Sequence, residues 1–158
     1  MSREFSKISV IGLGYVGLPL SLQFARSGVS VLGFDLDQQK VDSINAGKTY
    51  LEHFSSESIA EQVDANRLEA TTNPSRLSEV EAILICVPTP LDDHREPDLS
   101  FVLDTARTIA SHLVKGVLVT LESTTYPGTT EDELRIVLEE GSGMKAGTDF
   151  HLAYSPER

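Results

Sequence analysis

"KISVIGLGYVGLPLSLQFARSG", residues 7–28, decides the fold. Its first part, KISVIG (7–12), is a short apolar run closed by glycine, which suits a strand buried on both faces of a parallel sheet. Its last part, VGLPLSLQFARSG (16–28), places Val16, Leu20 and Phe24 at helical spacing and closes on Gly28 as a C′ residue. Pro19 is compatible with that helix if it falls in the first turn, so the helix should begin near Val16. Between strand and helix stands Gly12-Leu-Gly14-Tyr-Val-Gly17, a G-x-G-x-x-G pattern. The pattern alone is weak, but a preceding strand and a following helix are the context that gives it meaning. Gly12 permits the tight turn, Gly14 lets a pyrophosphate approach the backbone, and Gly17 lets helix and strand pack closely. The helix N-terminus then offers unpaired N–H groups and a positive dipole end to an anion. The competing reading is a glycine-rich structural turn.

Outward from this stretch, VSVLGFD (29–35) reads as a second strand ending at Asp35, 18 residues beyond Gly17. An acid there can accept both hydroxyls of an adenosine ribose and repels a 2′-phosphate. No arginine follows directly, so NAD is favoured over NADP. Asp35 or Asp37 could instead cap the next helix, DQQKVDSINAG (37–47), and Asp37 suits that duty better. The remaining pattern gives a helix at 55–67, a short strand at 68–72, a strong apolar strand at 80–88 expected in the sheet centre, and a helix at 98–114. Phe101, Thr105, Ile109 and Leu113 should line one side of that helix. A strand at 116–123, a helix at 130–141 with a Thr130/Glu133 capping box, and a strand at 150–154 complete the series. Strands alternating with helices predict one α/β domain over residues 1–158, a Rossmann-type, doubly wound, mostly parallel sheet with helices on both faces.

The chain has 158 residues and a net charge of −11, which disfavours nucleic acid and anionic membranes as partners but leaves room for a small phosphate ligand bound by backbone N–H groups. No run reaches the length of a membrane span and no signal peptide is evident, so a cytoplasmic location is expected. Cys86 lies within AILICV and is expected to be buried and inert; the four histidines show no metal-ligand spacing, and no metal is expected.

Ligands of open parallel sheets gather beyond the carboxyl ends of the strands. Those ends carry VPTP (87–90), ESTTYPG (122–128) and SPER (155–158), all rich in hydroxyls and prolines, and are expected on three successive central strands. Turns favour the same residues for local reasons, so these residues alone do not separate a ligand site from ordinary turns.

Taken together, ISVIGLGYVGLPLSLQFARSG, VLGFDLD, ICVPTPLDD, ESTTYPGTT and AYSPER resemble, in order and spacing, the N-terminal domain of the UDP-glucose/GDP-mannose dehydrogenase family. Within it, GKTYLEHFSSESI (47–59) and the arginine of SPER are more similar to the 6-dehydrogenases of UDP-N-acetylglucosamine and UDP-N-acetylmannosamine. The resemblance implies a two-step, NAD-dependent oxidation of a sugar C6 alcohol to a carboxylate through a cysteine thioester. It implies that Tyr15 and Val16 lie in the phosphate turn, that Asp35 takes the ribose and that Lys40 lies near the adenosine end. It further implies that Val87, Pro88 and Thr89 line the cofactor, and that Ser123 and Thr124 approach its nicotinamide side. Thr124 would hold a catalytic water and Glu157 would do acid/base work. The family's nucleophilic cysteine and most substrate contacts correspond to positions downstream of this match. The chain is therefore expected to be the cofactor half of a longer, homo-oligomeric enzyme acting on a UDP-sugar, and inactive alone. A stand-alone NAD sensor, or the cofactor domain of another two-domain dehydrogenase, would share the fold.

Overall fold

In the computed structural model, residues 4–124, 128 and 133–155 are described. Six strands form one sheet: β1 (Lys7–Ile11), β2 (Ser30–Phe34), β3 (Leu68–Thr71), β4 (Ala82–Ile85), β5 (Leu118–Leu121) and β6 (His151–Tyr154). The order is β3-β2-β1-β4-β5-β6 and every pair is parallel. The order reverses between β1 and β4, the two most central strands. This is the doubly wound Rossmann arrangement that the alternation of elements predicts.

Side chains of the central strands divide between two cores with the period of two that a strand imposes. Leu32, Phe34, Ile83, Ile85, Val119 and Leu121 face one core, closed by α4 (Ser100–Ala110) and α5 (Arg135–Ser142). Ile8, Val10, Val31, Ala82 and Leu84 face the other, closed by α1 (Gly17–Arg26), α2 (Gln38–Asn45) and α3 (Ser56–Asp64). Fully buried Ile109 and Leu138 each contribute roughly 1.5–3 kcal/mol by leaving water.

Four expectations change. The buried stripe of α4 is Val102, Ala106, Ile109 and Ala110, one residue round from the expected one, and Phe101 is exposed. On α1 the deepest residues are Leu18, Leu22 and Ala25, with Leu20 and Phe24 flanking them. Helix α5 does not stop at Gly141. It runs through to Ser142, and Gly143, in the left-handed region at φ 73°, ends it. Gly141 instead lets α4 approach, since a Cβ there would lie 2.7 Å from Ala110 Cβ. The capping threonine Thr130 lies outside the described residues. Finally, among the described residues β6 pairs with β5 alone, which puts it at the edge of this sheet and not in its centre. An unforeseen 3-10 turn, Pro74–Glu79, leads from β3 to β4 with Leu77 buried beneath it.

Candidate functional site

Three glycines of the first turn have separable causes. Gly12 sits at φ 91°, and a Cβ there would lie 2.8 Å from the Cys86 carbonyl oxygen. Its N–H bonds the Phe34 carbonyl at 2.9 Å, extending the β1–β2 ladder into the turn. At Gly17 a Cβ would fall 1.6 Å from the Gly12 carbonyl oxygen, a position no side chain can occupy. Both are required by the protein's own packing. Gly14 is different: its φ is not positive and a Cβ there would meet no protein atom within 4 Å. Behind it, α1 starts without a capping side chain and without an acid in its first turn. Pro19 falls in that first turn, where its missing N–H costs nothing.

Leu13, between Gly12 and Gly14, is pinned on three sides. Its N–H donates to Asp35 Oδ2 at 2.9 Å, and its carbonyl accepts from the Tyr50 hydroxyl. Its buried side chain occupies the space left by Gly33, where a Cβ would be 3.0 Å from both Leu13 methyl carbons. Asp35 Oδ1 accepts the Asp37 N–H at 2.9 Å, while Asp37 caps α2 through the Gln39 N–H, also 2.9 Å. The capping duty thus belongs to Asp37, and Asp35 braces the glycine turn. Lys40 Nζ stands 5.8 Å from the Tyr50 ring centroid, within cation–π range. Burial, then the charges of Asp35 and Asp37, push the Tyr50 phenol well above its ordinary value, so it stays a neutral donor to Leu13.

Across the switch point, the segments after β4 and β5 are knitted together. Ser123 Oγ donates to the Val87 carbonyl at 2.6 Å, and Thr89 Oγ1 donates to the Thr124 carbonyl at 2.6 Å. Thr120 Oγ1 donates to Glu122 Oε1 at 3.1 Å. One cleft of about 410 Å³ runs past all of these. Gly12, Gly14, Tyr15, Val16, Asp35 and Lys40 line it on the β1–β2 side; Val87, Pro88, Thr89, Ser123 and Thr124 line it on the β4–β5 side. Gly17 lies behind the turn and does not line it. The sequence reading missed Leu13, Cys86, Glu122 and Tyr50. Cys86 is half-buried and lines the cleft, so it is not sealed inside the strand as expected. Glu157 lies outside the described residues. A wider depression beside α4, of about 750 Å³, is walled by Asp92, Asp98, Asp104 and Glu133, with Arg107 the one cation among the described residues of its lining. It lies away from the glycine turn, and its acidic wall suits no phosphate.

A dinucleotide fits this cleft. Gly14 leaves open space beside the backbone, the α1 terminus carries no capping side chain, and the Asp35 carboxylate lines the same cleft, features that suit a dinucleotide. Among the described residues no helix is long and apolar enough to cross a membrane.

The sequence model described as "UDP-glucose/GDP-mannose dehydrogenase family, NAD binding domain" matches residues 6–158. A UDP-N-acetyl-D-glucosamine 6-dehydrogenase of Pseudomonas aeruginosa is 39% identical over 152 residues, covering 96% of this chain and 35% of the relative. A UDP-N-acetyl-D-mannosamine dehydrogenase of Pyrococcus horikoshii is 39% identical over 153 residues, covering 96% of this chain and 36% of that protein. Among solved structures, an NDP-N-acetyl-D-galactosaminuronic acid dehydrogenase from Methanosarcina mazei Go1 superposes with a TM-score of 0.91 at 39% identity, over 98% of this chain and 35% of that one. The chain thus spans about a third of the length of the relatives it matches. That match runs over nearly the whole chain, and the chain belongs to the UDP-glucose/GDP-mannose dehydrogenase family, as its NAD-binding domain.

Proposed function

We propose that this chain holds NAD across the ends of β2, β1, β4 and β5, as the cofactor half of a cytoplasmic, homo-oligomeric 6-dehydrogenase of a UDP-N-acetylhexosamine. NAD, when bound, accepts the hydride from the sugar C6 carbon. The chain's own residues bind and orient. Gly12, Gly14, Tyr15, Val16 and Gly17 shape the pyrophosphate turn, and Asp35 accepts from the adenosine ribose while Lys40 flanks it. Val87, Pro88 and Thr89 form the wall beside the second nucleoside, and Ser123 braces that wall. Thr124, exposed at the rim, positions a water, and Glu157 moves its proton. Relatives named for N-acetylated UDP-hexosamines support the substrate class.

Gly14 carries the reading. The protein has no steric need for glycine there, so the need comes from a ligand that lies against the backbone. In Gly14→Ala the melting temperature should hold or rise slightly, because glycine removal stiffens the unfolded chain by about 0.4–1 kcal/mol. NADH affinity, followed by its fluorescence, should fall at least tenfold. An unchanged affinity would remove the pyrophosphate from this turn.

A further inference from the structure

Glu122 is a charged residue of the cleft that the binding roles above leave unused. Its backbone N–H bonds the Ile85 carbonyl at 2.9 Å, which extends the β4–β5 ladder and fixes its Cα at the strand end. Thr120 Oγ1, on a nearly buried residue, holds Oε1 at 3.1 Å and fixes the side chain. Among the described residues, its neighbours in the cleft lining, Cys86, Val87, Ser123 and Thr124, include no lysine, arginine, aspartate or glutamate. Among the described residues of the lining the cation is Lys40, on α2 after β2, and the ends of β2 and β5 are three strand spacings or roughly 14 Å apart. That exceeds the Debye length of about 8 Å at physiological salt, so Lys40 does not cancel the field of Glu122.

If the pyrophosphate rests on Gly12–Gly14 and one ribose on Asp35, the other nucleoside lies beyond the switch point, over β4 and β5. On the reading proposed above, that nucleoside is nicotinamide. Its ring carries a positive charge in NAD⁺ and none in NADH. We propose that Glu122 makes this cleft distinguish the two redox states: its carboxylate attracts the oxidised ring and offers the reduced ring nothing. The consequence suits an oxidation from alcohol to carboxylate, which removes four electrons and so spends two NAD molecules per sugar. Once a hydride has been accepted, the attraction vanishes, and the spent cofactor is displaced by a fresh one.

The test compares Kd values of NAD⁺, NADH and ADP-ribose, which lacks the nicotinamide, by calorimetry on this chain at 150 mM salt. In Glu122→Gln the ratio Kd(NADH)/Kd(NAD⁺) should drop about three- to tenfold, with ADP-ribose affinity unchanged. Glu122→Asp should keep most of the preference. Asp64→Asn, which removes the same charge from the exposed end of α3, should leave the ratio alone. If Glu122→Gln does not fold, Glu122→Ser serves for the same ratio. A ratio within twofold of the parent while ADP-ribose still binds overturns the role of Glu122 and leaves the cofactor site standing. An equal shift in Asp64→Asn overturns it too, in favour of overall charge. Failure of all three ligands to bind the parent chain overturns both the site and the proposal.

Discussion

At Leu13 the backbone N–H is held by Asp35 and the carbonyl by Tyr50, so the glycine turn is fixed by one charged and one neutral partner. Tyr50 is a neutral acid whose pKa the fold raises, so it stays protonated where the unfolded chain already ionises, from pH 10.0 upward. Its stabilisation is complete below that pH and declines as pH rises toward the folded value, by at most about 1.4 kcal/mol per pH unit. Tyr50→Phe should cost about 1 kcal/mol at pH 7 for the lost hydrogen bond. It should also flatten the alkaline loss, as urea midpoints at pH 7, 9 and 11 would show. A variant that still loses as much stability as the parent between pH 9 and 11 would falsify this role. That Asp37 rather than Asp35 caps α2 was legible in the sequence because capping is local. Tyr50 was not, because its partner lies 37 positions away and a tyrosine in a polar stretch carries no periodic signal.

Elements were legible where the pattern was steep and misjudged where two stripes competed. β1, β2 and β4 are apolar on both faces, so any reading of their period finds a strand. On α4, Phe101 and Thr105 sit beside the true seam of Val102 and Ala106, and only packing against α5 shows which one is buried. Gly33 was passed over altogether. A glycine inside a strand often marks close approach of another group, and here the group is Leu13. Gly33→Ala brings a methyl to 3.0 Å from two carbons of a side chain that is 0% exposed, so the leucine cannot swing into solvent. Overpacking of this kind should destabilise by about 1–3 kcal/mol. Because Leu13 carries the turn with it, NADH affinity should fall as well. Combining Gly33→Ala with Leu13→Val should restore part of the melting temperature. If the double variant melts no higher than Gly33→Ala alone, the Leu13 contact is not the cause.

For the whole molecule, strand–helix alternation was enough to predict a parallel sheet, since each crossover must return over a face. The place of β6 was not readable, because its alternating sequence does not say how many neighbours it has. Charge was the other global quantity on view, and it leads to a testable sign. A chain of net charge −11 binds a cofactor that is itself a net anion. Local contacts at the turn win, but the remaining acids oppose binding from a distance. Taking roughly 15 Å as the mean separation, the repulsion per unit ligand charge is about 2 kcal/mol at 10 mM salt and about 0.5 kcal/mol at 150 mM. NAD⁺, of net charge −1, should therefore gain about tenfold in affinity between those salt concentrations, opposite to a protein that binds phosphates through a basic surface. Calorimetric titration at 10, 50 and 150 mM salt reads the slope directly. Affinity that falls with salt would mean that Lys40, rather than the backbone and the α1 terminus, supplies most of the binding.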